Sequence, residues 1–400
     1  MKILPYIALF ALFVAAPASC SKVEENTPAG SGRVVLAYLG GDNNLSGEAY
    51  AKAEALRQGY TSHVQDNLQG RLLIYIDPAD GPPRLLEVYT DGGQSKTMEI
   101  REYGEDNSAD SATFASVIAD VRRLYPNNRY GLLVFSHASG WLPEKTLTNP
   151  KSVLADQGRE MELTDLAAAI PDGMFEYIVF EACFMSGIEV AYQLGDKTDC
   201  ILASSAEIVS PGFTEIYPAA TVCLFEEDRP MEKFAEKAFG WFNSQSGYQR
   251  SATFSVIRTF VLKDLASFVR KNCDPDSEAS LTEIQHFDRY SSYRLFFDFE
   301  DYYSRLLPTE AQRNELTRLI NGCVVWKAST ETFMIGFNGF AIGRHSGLTV
   351  YIPQERFPVL NDAYAKLDWA NDTGREPQNH AQGSGNAAYL YSGTGETDKK

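Results

Sequence analysis

Two side chains have the type and setting to do covalent chemistry together: the thiol of Cys183 and the imidazole of His137. Cys183 lies in the stretch 175–194, FEYIVFEACFMSGIEVAYQL, where Tyr177, Ile178, Val179 and Phe180 form a short apolar, β-favouring run. Such a run suits a parallel strand covered on both faces. Glu181 interrupts it. A carboxylate at the end of a core strand costs free energy unless it reaches solvent or a partner, so the strand is expected to end there at an open edge. Open α/β sheets bind ligands at that edge. Strand side chains repeat with period two, so Glu181 and Cys183 are expected to line one pocket face. Met185, Ile188, Val190, Ala191 and Leu194 follow at helical spacing, which places Cys183 near a helix N-terminus, where a thiolate is favoured.

A thiolate nucleophile needs a base. His137 closes a second apolar run, 131–135, and the small, polar turn Ser136-His137-Ala138-Ser139-Gly140 follows it. Two strands of one parallel sheet would bring His137 and Cys183 to the same edge. His63, His286, His345 and His380 have no comparable setting. A lone cysteine at a strand end is most often an inert core thiol; the acid beside it, the helix behind it and a histidine in a matching position lift this one above that reading. The chemistry implied is nucleophilic. His137 takes the thiol proton, Cys183 attacks a carbonyl, His137 protonates the leaving amine, and backbone N–H groups hold the oxyanion.

HASGW at 137–141 and EACFMSGIE at 181–189 resemble the clostripain family of cysteine peptidases, within the wider group of caspases, legumains and gingipains. Cys183 follows His137 by 46 residues, close to the spacing of about 50 in caspases. YLGGDNNL at 38–45, ASSAEIVSPG at 203–212 and HSGLTVYIP at 345–353 resemble further blocks of that family in the same order, so the resemblance spans 33–353. It implies a caspase-like α/β fold, an open and mostly parallel sheet with helices on both faces, and endopeptidase activity. It also implies oxyanion donors on the backbone of Cys183 and Ala138, and a pocket acid at Glu181 that favours Arg or Lys before the scissile bond. Glu207 is expected as a second acid over the pocket. Legumains carry the same Glu-Ala-Cys and accept Asn, so Arg or Lys is a preference. A segment after the histidine is cut during autoactivation in the family, which makes Lys145 and Lys151 candidate self-cleavage points against an ordinary surface loop. The sequence itself calls for no cofactor and suggests no metal site; calcium enters through the resemblance alone.

Ala138 departs from the family, which usually has Gly after the histidine. If that position needs a left-handed backbone, Ala costs roughly 1–2 kcal/mol. A catalytically weakened relative that binds peptides at the cell surface is therefore the second reading. The third is a flavodoxin-like ligand binder, which Gly40-Gly41-Asp42 does not support because it lacks the full phosphate-loop fingerprint.

The 400 residues, 44% hydrophobic, can bury a sizeable core. A net charge of −17 argues against nucleic acid or an anionic membrane surface as partner and would attract basic substrates. Lys2, an apolar run and then small residues read as a signal peptide over 1–19. Ala18 and Ser19 directly before Cys20 resemble a lipoprotein cleavage site, with Cys20 lipidated and the chain anchored to a membrane through it. Ordinary signal-peptidase cleavage is the alternative. Ser21-Lys22-Val23-Glu24-Glu25 resembles the surface-export signals of Bacteroides-type lipoproteins, which implies the outer membrane or cell surface. Residues 20–32 read as a tether, 33–370 as the peptidase domain with helical insertions, and 371–400 as a flexible polar tail. Cys200, Cys223, Cys273 and Cys323 read as buried thiols, with pairing open in an oxidising compartment.

Alternating strands (33–39, 71–77, 131–135, 177–180, 200–204) and helices (from Ser46, and 111–125) predict a doubly covered, mostly parallel sheet, with 84–89 and 97–100 as an edge hairpin. Asp42, Asn43 and Asn44 read as a turn and helix cap more than as catalytic groups. Asp156 is either a turn residue or a pocket acid. The C-terminal part is helix-rich, with helical periodicity at 231–242, 263–271, 281–307 and 311–323, before strands at 332–341 and 348–352.

Overall fold

The computed structural model describes residues 32–64, 70–144, 146, 154–275, 277, 279–290 and 293–377. One nine-stranded sheet organises them. Its strands are β1 (Arg33–Gly41), β2 (Gly70–Pro78), β3 (Arg84–Asp91), β4 (Gln94–Glu102), β5 (Tyr130–Phe135), β6 (Phe175–Glu181), β7 (Cys200–Ser204), β8 (Thr253–Arg258) and β9 (Val324–Ser329). They lie in the order β9-β8-β7-β6-β5-β1-β2-β3-β4. The inner run from β7 to β2 is parallel. β3 and β4 close one edge and β8 and β9 the other, all antiparallel.

Every residue of β1 and β5 is buried, and so is all of β6 except Glu176. Because alternate side chains point to opposite faces, burial at every position means that both faces are covered. This is the doubly covered, mostly parallel sheet that the alternation of apolar runs and helices predicts, and the caspase-like α/β fold that the resemblance implies. β4 is the exception that its edge position explains. It is largely exposed, and Lys96, Glu99 and Arg101 on it discourage pairing with another chain.

The fold departs from the expected elements in the C-terminal part. Residues 281–307 do not form one helix: a short turn of 3-10 helix, Leu281–Glu283, is followed by extended chain and then by the helix Phe299–Leu306. Asp288 is the physical reason. Its buried carboxylate accepts the N–H groups of Leu295 (2.8 Å) and Phe296 (3.0 Å), an alternative to helical pairing that folds the segment back on itself. Phe287, Leu295, Phe296 and Phe297 are buried by that fold-back. Residues 332–341 are not a continuous strand but a small hairpin, Thr332–Phe333 against Phe340–Ala341, with Met334 and Asn338 in the left-handed region between. β8 is a further strand beyond the expected set, and β9 occupies residues after the helix Glu310–Cys323. The core also passes residue 370: the helix Asp368–Thr373 spans it, and the Arg375 guanidinium lies 5.6 Å from the Tyr303 ring centroid. Residues 378–400 of the expected tail, the leader and Cys20 lie outside the described residues. Among the described residues no helix is long and apolar enough to cross a membrane.

Candidate active site

In the β5–β6 ladder Phe135 stands opposite Glu181. His137 and Cys183 each lie two residues beyond that pair, so neighbouring parallel strands release them at the same level of the sheet's C-terminal edge. Past Glu181 the chain turns sharply. Phe184 adopts φ 61°, a left-handed conformation that costs a bulky residue of the order of 1–3 kcal/mol. Its N–H donates to the Ala206 carbonyl (3.0 Å), and its buried ring stacks on Phe296 with centroids 4.3 Å apart, which offsets the strain. The Ile208 N–H points at the Cys183 sulfur from 3.5 Å. Gly140 (φ 65°) closes the facing turn, and a β-carbon there would come within 2.8 Å of the Phe184 carbonyl oxygen. The histidine turn and the cysteine turn are thus packed backbone against backbone.

The helix expected directly behind Cys183 starts only at Ile188 and is six residues long. Four residues, 184–187, separate its start from Cys183, so a helix N-terminus does not support the thiolate. The chain spends those residues on the turn instead.

His137 Nε2 lies 2.9 Å from the Asn44 side-chain oxygen. With that oxygen accepting, Nε2 carries the proton and the lone pair sits on Nδ1, the tautomer a base needs. Asn43 makes the expected turn, accepting from the Leu45 N–H (2.8 Å) and donating to the Ala155 carbonyl (2.8 Å). Asn44 does something else. A polar run at the end of β1 was the signal, but only the strand order, with β1 beside β5, brings it to the histidine. Ala138 is buried and is not among the non-glycine residues with positive φ, so the strain expected from Ala in place of Gly does not arise. Its N–H makes no hydrogen bond among the described residues.

Both acids expected at the pocket are occupied by cations of the chain itself. Glu181 does not share a face with Cys183, because period two ends where the strand ends. Its side chain is 1% exposed and binds Lys52 Nζ (2.7 Å), the Phe213 N–H (2.5 Å) and the Tyr217 hydroxyl. Glu207 directly precedes Ile208, whose N–H meets the thiol, and Arg289 grips it with two hydrogen bonds, Nε to Oε2 (2.7 Å) and Nη2 to Oε1 (2.8 Å). Asp156 is buried, and its carboxylate converges with that of Asp77 on the Ser108 N–H (2.6 and 3.2 Å). Burial, then repulsion from Asp156, pushes the Asp77 carboxyl up to about 8. The two acids serve the fold around the Ser108 turn. Lys145 and Lys151 lie outside the described residues.

No described cysteine is in a disulfide. Among the described residues no three His, Cys, Asp or Glu side chains stand together to hold a metal ion.

Residues 37–334 match the clostripain family. The chain belongs to that family of cysteine proteases. Among solved structures, this clostripain-family chain resembles an inactive zymogen C11 protease from Parabacteroides distasonis, with 30% identity over 87% of this chain and 99% of that one and a TM-score of 0.76. It also resembles a secreted C11 cysteine protease from Bacteroides thetaiotaomicron in complex with an irreversible peptide inhibitor, with 25% identity over 86% and 98% of the two chains and a TM-score of 0.75. Among curated proteins, none matches it.

Proposed function

We propose that this protease is an endopeptidase in which Cys183 attacks the peptide carbonyl and His137 is the base. Nδ1 of His137 takes the thiol proton and returns it to the leaving amine, and the N–H groups of Ala138 and Cys183 receive the oxyanion. The observation that carries the reading is the pairing of Phe135 with Glu181, which sets both functional residues two steps past one rung of the sheet. Cys183→Ala and His137→Ala should each abolish peptide hydrolysis while leaving the circular dichroism and melting transition intact. Near wild-type turnover in either purified variant would refute the assignment.

The preferred residue before the cut is Arg or Lys, with Glu207 as its reader in place of the buried Glu181. Glu207 adjoins the residue whose N–H meets the thiol and already accepts a guanidinium in two-point geometry, and the net charge of −17 draws basic peptides. A peptide-library profile dominated by Asn, Asp or apolar residues at that position would overturn the preference.

Self-cleavage at Lys145 or Lys151 belongs to the same proposal; a Lys145→Ala/Lys151→Ala chain should stay whole under conditions that fragment the wild type. Lipidation at Cys20 would anchor the enzyme at the outer membrane or cell surface. A Cys20→Ala chain that still takes up labelled fatty acid would refute that.

A further inference from the structure

We propose that Arg289 is a specificity-determining residue of this site. Its guanidinium occupies the Glu207 carboxylate as an internal stand-in for the substrate's basic side chain, and substrate binds by displacing it. The inference rests on the reading of Glu207 above.

Three observations carry it. The first is the mode of contact: the planar guanidinium meets the carboxylate with two hydrogen bonds, the arrangement an arginine substrate would use. The second is position. Glu207 adjoins Ile208, whose N–H meets the Cys183 sulfur; the bond to Glu207 chiefly holds the Arg289 proton and burial chiefly raises the neighbouring Tyr290 hydroxyl, with a negative charge on Cys183 adding to both. The ion pair is therefore within electrostatic reach of the nucleophile. The third is reversibility. The two side chains are 24% and 26% exposed, so Arg289 has a route into water and Glu207 is not sealed beneath it. Contrast Lys52 and Glu181, at 0% and 1%, which have none.

Displacement is an exchange of like for like at Glu207. What Arg289 gives up besides is its contact with the Phe337 carbonyl, on the hairpin 332–341, where Ile335 and Phe337 are exposed. Asn338 of the same hairpin donates to the Arg289 carbonyl, so this hairpin sets where the guanidinium sits. An internal competitor weakens every basic ligand by the fraction of time the carboxylate is taken. Arg289 thereby sets how strongly the enzyme prefers a charged residue over a neutral one of the same shape.

The test compares a pair of peptides carrying Arg or its uncharged isostere citrulline before the cut, together with calorimetric binding of benzamidine to the full chain. Arg289→Ala should raise the Arg/citrulline ratio in kcat/KM, and tighten benzamidine binding, each by about tenfold or more, as expected for an opened charge-assisted site. Glu207→Gln should bring the ratio toward unity, and the double variant should show no gain. An Arg289→Ala protein with unchanged ratio and unchanged benzamidine affinity overturns the proposal, as does a gain that survives in the double variant. Arg289→Met, which keeps the aliphatic stem, carries the same comparison if the alanine variant misfolds. If the wild type alkylates at Cys183 but cuts neither peptide, the basic-residue reading fails, and the benzamidine comparison alone still decides the role of Arg289.

Discussion

Lys52 Nζ lies 2.7 Å from Glu181 Oε1, and both side chains are closed off from solvent. Lys52 also donates to the Pro211 carbonyl (2.8 Å) and the Thr214 hydroxyl (2.9 Å), and it sits 4.5 Å from the Phe135 ring centroid. This pair ties the helix Ser46–Val64 to the end of β6 and to the turn that follows Glu207. Breaking a buried, fully hydrogen-bonded ion pair from one side costs about 3–5 kcal/mol. Glu181→Gln should therefore lower the unfolding free energy by roughly that amount in a urea titration, and Lys52→Met similarly. A Glu181→Gln protein of wild-type stability that has lost its preference for basic residues would return Glu181 to the pocket.

The Asn44 side-chain oxygen, 2.9 Å from His137 Nε2, is placed to hold the imidazole of the proposed base in one orientation. Replacement of Asn44 by Ala removes one hydrogen bond, worth about 0.5–1.5 kcal/mol, so kcat should fall by up to about tenfold while KM stays near the wild-type value. A steady-state comparison reads the split. An unchanged kcat would mean that other groups orient His137.

Gly140 is where the two turns meet. Gly140→Ala combines a left-handed backbone, roughly 1 kcal/mol or more for an alanine, with a β-carbon 2.8 Å from the Phe184 carbonyl oxygen. The cysteine turn must shift, and small misplacements at a reacting centre cost about tenfold to a hundredfold. The rate of Cys183 alkylation and kcat/KM should fall together while the secondary structure persists. Equal rates in variant and wild type would show that the turns can part without consequence.

Glu189 gives the stability a pH dependence. It is buried in the helix Ile188–Gln193, with Oε1 accepting the Tyr351 N–H at 2.7 Å, and burial pushes its carboxyl from 4.5 up to about 7. Between those values the unfolded chain has released the proton and the folded chain has kept it. Stability from this group is therefore full below about 4.5, falls as pH rises towards about 7, and is flat beyond. Glu189→Gln keeps the acceptor and removes the charge. Relative to wild type it should gain up to about 3 kcal/mol between pH 5 and pH 8, read from urea midpoints at the two values. A gain in the opposite direction would contradict burial as the cause.

The strand ends that present His137 and Cys183 were written locally. An apolar run of β-favouring residues followed by small polar ones specifies a buried strand and its stop without reference to the rest of the chain, and both runs, 131–135 and 177–180, did so. What tertiary structure alone decided is who meets these ends. Asn44 reaches His137 because β1 packs beside β5, a choice of strand order made by long-range burial. Glu181 turned inward because Lys52, on a helix 129 residues earlier, satisfies it there. The period-two argument that paired it with Cys183 held only as far as the strand did, and the strand gives way to the turn at Phe184. Arg289 came to Glu207 from a segment whose helical periodicity lost to the backbone contacts of Asp288, since a buried carboxylate with two N–H partners outweighs local propensity. Patterns four or five residues long specify elements; the partner that satisfies a buried charge is chosen by whatever the whole fold brings within 3 Å of it.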